Sequence, residues 1–289
     1  MRLFQLYLPD MPDNHYAALV QTLKKELHKI NKSENVYQLK YETDRFMVTV
    51  HWVSGTQGVL KQESRKMAGT AIGRVLAEYI VDCEEIKIIR RITRSQYRCS
   101  PDETEKICSY CKELLDGTLD YSHPFDLKGR RKAKVSAILQ SYLWENPVLH
   151  LDGFIRFRLG DYNRELAEAV DYAVEEIMLD QQYQDFIALL KYYVYAQDTI
   201  IPTAHLMHKG GHEFQLLNEH MKPIDPRLFH FNKGESFDAE ESDEDLIVSA
   251  LLSVSPQKIY IHTREPELQV IKTIQQIFEH RVELCTVLS

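Results

Sequence analysis

The chain contains no GxSxG elbow, no GxxxxGK[ST] loop and no GxGxxG turn, and its glycines at 55, 58, 69 and 73 are too dispersed to cradle a phosphate. Those absences remove the commonest serine hydrolases, nucleotide hydrolases and dinucleotide-dependent enzymes. No window approaches 18 consecutive apolar residues, and the opening MRLFQLYLPD ends its short apolar run at Pro9 and Asp10, not at a small-residue cleavage site. Neither a membrane span nor an export leader is expected, and the chain reads as cytoplasmic. Cysteine is sparse and odd in number, five residues at 83, 99, 108, 111 and 285, the pattern of reduced thiols and not of a disulfide framework. Basic side chains are the minority, 35 against 43 acidic ones, and the net charge of −8 repels a polyanion unless cations cluster locally.

What is present is a soluble-type composition, 44% hydrophobic and 27% charged, over 289 residues, a length at which one core stops growing and two or three units are expected. Residues 2–8 read as a strand, Leu19, Val20, Leu23, Leu27 and Ile30 recur at helical spacing, and VYQLKYE and RFMVTVHWV alternate about Thr43 and Asp44 as a hairpin. A long helical stripe follows from Leu60, with Gly69 and Gly73 four apart beside it, where a second helix can approach closely. SPDE at residues 100–103 predicts a helix start, with serine as cap, proline at the first position and glutamate at the third. Helices are predicted over 84–94 and 128–144, and residues 161–201 hold neither Gly nor Pro, with DQQYQ marking a place for a bend. After Pro202, TAHLMH and EFQLLNEHM flank a KGG turn; then come DLIVSALLSV as a helix, KIYIHT as a strand, PELQVIKTIQQIFE as a helix and RVELCTVL as a strand, a parallel crossover. The fold class is α+β: an N-terminal β-α-β-β unit over 1–56, a central helical array over 57–198, and a small C-terminal α/β unit with a mixed sheet over 199–289.

The segment GFIRFRLGDY, residues 153–162, has two readings. As a strand it sets Arg156 and Arg158 on one face, ready to hold an anion. As a short helix it puts Phe154 and Phe157 on one stripe and leaves the arginines on its edges. The helical reading is favoured, with Asp152 as cap, Gly160 as a left-handed exit and Asp161 capping the long helix that follows.

Reactive-type residues are present but weakly organised. KIIRRITRSQYR at 87–98 and KGRRKAK at 128–134 each carry five cations and no acid. Through Lys87, Arg90, Arg91, Arg94, Arg130, Arg131 and Lys132 they could neutralise phosphates, and Arg156 and Arg158 near a helix N-terminus could hold a smaller anion. The plainer reading is solvated helix faces balanced by Glu84, Glu85, Asp102 and Glu103. Cys108 and Cys111 form a CxxC, with Cys99 and His123 nearby, yet they fall within the SPDE helix on a stripe with Ile107, Leu114 and Leu115, as buried cysteines do. His205, His208 and His212 surround the KGG turn, but His205 and His208, three apart in a strand, point to opposite faces. The acidic run DAEESDED at 238–245 lacks the glycine and distant glutamate of an EF-hand loop, and Ser242 to Asp245 read as a capping box. No catalytic residue, metal or cofactor is nominated.

The block GFIRFRLGDYNRELAEAVDYAVEEIMLDQQYQDFIALLKYYV, together with DLIVSALLSVSPQKIYIHT, resembles the YtxC family, which is named for its association with sporulation in spore-forming bacteria. The resemblance implies a cytoplasmic bacterial protein acting in or near spore formation and supplies no catalytic or binding residues. With the missing motifs it implies a non-enzymatic interaction or scaffold protein that engages an unknown protein partner or itself; the alternative is a nucleic-acid binder through the helices at 87–98 and 128–134.

Overall fold

Alternating RLFQLY forms strand β1 (Arg2–Tyr7), which buries Leu3, Phe4 and Leu6. The computed structural model describes residues 1–9, 11–30, 37–53, 59–118, 126–211, 213–224 and 243–286, and the chain forms two compact units, residues 1–177 and 178–289.

In the first unit, helix α1 (Asp13–Ile30) turns Tyr16, Leu19, Val20, Leu23 and Leu27 inward, one stripe at three-and-four spacing. Strands β2 (Tyr37–Glu42) and β3 (Met47–Trp52) form the expected hairpin, with Phe46 in the left-handed region at φ 44°. Helix α2 (Val59–Tyr79) leads through a π-helical turn (Ile80–Glu84) directly into α3 (Glu85–Gln96). Helix α4 (Pro101–Asp116) starts on the predicted capping box, Ser100 Oγ accepting from the Glu103 N–H and the Glu103 carboxylate accepting from the Ser100 N–H. A cap of this kind contributes about 1 kcal/mol. Helix α5 (Leu127–Glu145), strand β4 (Val148–His150), helix α6 (Leu151–Arg158) and helix α7 (Gly160–Ala196) follow.

The first sheet has the order β2-β3-β1-β4; β1 runs antiparallel to β3 and parallel to β4. One continuous core, from Leu3 to Val174, joins this sheet to the helices. Of the two glycines of α2, Gly73 acts where expected: a Cβ there would stand 2.9 Å from Gln140 Cγ and 3.3 Å from its backbone nitrogen, so α5 approaches almost to backbone contact, whereas a Cβ on Gly69 would meet only ordinary contacts, the nearest Phe4 at 3.5 Å.

The segment 153–162 is helical, as favoured, but its details differ. His150, not Asp152, is the N-cap residue of α6, and Gly160 opens α7 with a negative φ in place of a left-handed exit. Leu151, Phe154 and Ile155 are buried, while Phe157, expected beside Phe154, is 82% exposed. Three residues on from Phe154, Phe157 is already rotated by about 60° on the helix, enough to leave the narrow buried strip of this two-turn segment.

In the second unit, β5 (Ile201–Gly210) and β6 (Glu213–Asn218) form the predicted hairpin, with Gly210 and Gly211 at positive φ in its turn. Helix α8 (Asp243–Val254), strand β7 (Pro256–Thr263), helix α9 (Gln269–Phe278) and strand β8 (Val282–Thr286) complete a mixed sheet of order β6-β5-β7-β8, in which β5, β7 and β8 run parallel. Its core is built from Ala204, Leu206, Ile259, Ile261, Ile271, Ile274 and Phe278, with Ile187 and Val194 of α7 packed against them. The capping box expected at Ser242 lies outside the described residues, as do His123, His212 and most of the acidic run. Helix α7 is unbroken through DQQYQ, and the division between the units falls just before it, at 177/178.

Candidate functional site

The π-helical turn inserts one residue into what is otherwise a single rod, and the result is that two successive carboxylates, Glu84 and Glu85, both face inward. Glu84 accepts from Tyr79 Oη at 2.5 Å and pairs with Lys87 at 2.8 Å. Glu85 receives the Arg131 guanidinium through two bonds of 3.0 Å and Tyr162 Oη at 2.6 Å. Arg131 also donates to the Leu115 carbonyl and to Asp116 at 3.3 Å, and its side chain is only 3% exposed. Burial and the Glu85 charge raise the Tyr162 pKa well above its ordinary value, so its hydroxyl stays a donor.

The neighbouring cations are matched in the same way. Asp82 of the turn takes Lys132 at 2.7 Å and Lys128 at 3.1 Å, and Arg90 meets Glu105 at 2.9 Å. Burial works to raise the Asp82 pKa, but the hydrogen bonds and charges of the two lysines outweigh it and hold the carboxyl below its usual range. The two basic segments therefore meet through acids, not as one cationic face. Arg91, Arg94, Arg98 and Arg130 are the members of the two basic segments that stay exposed with no ion-pair partner among the described residues.

Arg156 and Arg158 diverge. Arg156 pairs with Asp152 at 3.3 Å, and the Arg158 guanidinium lies over the Tyr142 ring at 5.9 Å. Instead Arg156 shares a cleft of about 440 Å³ with Arg91, lined also by Ile88, Ile92, Asn163 and Ala167. The pairing of Arg91 with Arg156 joins α3 to α6, a juxtaposition that linear spacing does not encode.

Among the described residues the soft ligands do not converge. Cys108 and Cys111 are buried on α4 beside Ile107 and Leu115, Cys111 Sγ lies 3.5 Å from the Ala169 carbonyl, and burial pushes its thiol up to about 12. Among the described residues no three His, Cys, Asp or Glu side chains gather in reach of one metal ion. His205 and His208 do point to opposite faces: His205 Nδ1 stands 3.2 Å from His262 Nε2, while His208 Nδ1 stands 2.9 Å from Thr263 Oγ1. Burial and the neighbouring His205 lower the His262 pKa.

The most conspicuous surface is on the second-unit part of α7. Tyr183, Ile187, Leu190 and Val194 face the core of that unit. One residue before each of them stand Gln182, Phe186, Leu189 and Tyr193, and a further turn back is Leu179, a second seam about 100° round the helix. This second seam is open: Leu179, Phe186, Leu189 and Tyr193 are 60%, 56%, 63% and 41% exposed. Met178 and Tyr192 extend it at the edges, both exposed. Composition alone shows tyrosine abundance; the two interleaved stripes are the signal that separates the buried seam from the open one.

A family profile described as the YtxC-like family matches residues 70–283, from within α2 to β8. The chain belongs to the YtxC-like family. The YtxC-like region leaves out β1 to β3 and includes the whole of α7. The chain is also similar to a protein of Bacillus subtilis (strain 168) named as an uncharacterized protein YtxC, 29% identical over 217 residues that cover 73% of this chain and 74% of the relative. No solved structure matches. Among the described residues of this YtxC-like protein no helix is long and apolar enough to cross a membrane.

Proposed function

We propose that this member of the YtxC-like family is a non-enzymatic interaction or scaffold protein of the bacterial cytoplasm, working in or near spore formation. The observation that carries the interaction role is the open apolar seam of α7, where four large side chains on one helix stripe each expose 41% to 63% of their surface. Contiguous apolar patches rich in aromatic side chains mark sites of protein contact. The sporulation setting and the compartment rest on the family resemblance. Crosslinking and pull-down of the full chain from sporulating cells tests the proposal: a stable assembly that Phe186→Asp disrupts is expected, and recovery of free monomer alone overturns it.

A second reading, nucleic-acid binding, is favoured by the exposed and unpaired Arg91, Arg94 and Arg130. It requires affinity that falls steeply with salt. A DNA and RNA titration at two salt concentrations decides it, and no binding at low salt removes it.

A further inference from the structure

We infer that the open seam of α7 pairs with the same seam of a second copy of this chain, antiparallel across a two-fold axis. The inference rests on the interaction reading above and names the partner. Leu179, Gln182, Phe186, Leu189 and Tyr193 are spaced three, four, three and four residues apart, the a/d repeat of a coiled-coil seam and narrower than the stripe a helix uses against a globular core. A seam of that period is complementary to another helix of the same period. In two antiparallel helices an a residue of one lies beside a d residue of the other, and the four seam residues from Gln182 to Tyr193, spaced four, three and four, match their own reverse: Phe186 falls opposite Leu189, and Gln182 opposite Tyr193, while Leu179 falls opposite Ala196. That second contact gives the one polar seam residue a partner, the Gln182 amide against the Tyr193 hydroxyl, neither of which has a hydrogen-bond partner among the described residues.

Charge does not select the direction: Lys191 pairs with Glu279 at 2.9 Å, and Asp180 and Lys191 lie on the side of α7 away from the seam, so the antiparallel assignment rests on the spacing of the seam residues. The exposed parts of the seam side chains with Met178 and Tyr192 come to roughly 600 Å² per copy, about 1,200 Å² for a symmetric pair, which reaches the lower end of specific interfaces. An isologous contact of this kind closes on itself and yields a dimer, not a filament.

The test uses the full chain. Sedimentation equilibrium of the wild type over micromolar concentrations is expected to show a monomer–dimer equilibrium, and Phe186→Asp to weaken it at least a hundredfold while leaving the circular dichroism spectrum unchanged. Cysteine trapping fixes the geometry: a mixture of Phe186→Cys and Leu189→Cys chains forms a mixed disulfide, whereas either variant alone crosslinks no more than the wild type with its five native cysteines. Efficient crosslinking of each variant with itself indicates a parallel pair and overturns the antiparallel assignment. A wild type that stays monomeric, with no mixed disulfide, overturns self-pairing altogether. If crosslinking in cells then joins the seam to a different protein, the interaction reading survives that result, and if the seam joins nothing, both fall.

Discussion

Replacing Arg131 with methionine should destabilise the first unit severely, although the position reads in sequence as one member of a surface basic run. The guanidinium is 3% exposed and holds Glu85 by two bonds of 3.0 Å. Methionine fills much the same volume, so the loss is electrostatic: Glu85, itself buried, retains only the Tyr162 hydroxyl, and the Leu115 carbonyl loses its donor. Removing one partner of a buried pair costs about 3–5 kcal/mol, because the remaining charge is left uncompensated. Asp116 adds little, being partly solvated and able to rehydrate. Removing the stranded groups as well, in Arg131→Met with Glu85→Leu and Tyr162→Phe, should recover most of that loss, since an apolar replacement of a whole buried network is often neutral. Urea unfolding followed by tryptophan fluorescence isolates the effect, since both tryptophans, Trp52 and Trp144, belong to the first unit. A single-variant loss below about 1 kcal/mol, or a triple variant less stable than the single, refutes the reasoning.

Gly73→Val should cost about 2–3 kcal/mol in the same assay, because its side chain meets the α5 backbone at Gln140; Gly73→Ala should cost less, as Gln140 Cγ can move but its backbone nitrogen cannot. Thiol labelling of the native chain should modify Cys83, Cys99 and Cys285 before Cys108 and Cys111, which are fully buried and, for Cys111, held as the thiol with its pKa near 12; fast labelling of all five would contradict this. Because the folded-state pKa of His262 is lowered, the unfolded chain binds its proton more readily, so its contribution is intact above the ordinary histidine value of 6.5 and is lost as pH falls below it. Thermal unfolding at pH 7.5 and 5.5 should show that loss in the wild type and a smaller one in His262→Gln; an equal loss in both would reject it.

Elements whose cause is local were legible in the sequence. The SPDE cap, the β2–β3 hairpin, the KGG turn and the β7-α9-β8 crossover each follow from turn chemistry or periodicity within a few residues. Gly73 of α2 announced a close helix contact because only a missing Cβ allows one there. Elements whose cause is distant were not legible. Strand β4 is three residues long and exists because β1 offers it an edge. The π-helical turn is set by packing and by the carboxylates it buries, not by any breaker residue. Arg131 looks like Arg130 in sequence, and only the approach of Glu85 from 46 residues away distinguishes them. The open seam was half visible, since the apolar spacing along α7 is plain but which of two adjacent stripes faces the core depends on the sheet it meets.

The most direct measurement is site-specific photo-crosslinking in living cells, with a photoreactive residue at position 189 in the open seam and, as control, at the exposed but polar position 184. A defined adduct from 189 and none from 184 is the predicted result. Equal adducts from both positions, or none from 189, would contradict the claim that this seam of α7 is where the protein makes its contact.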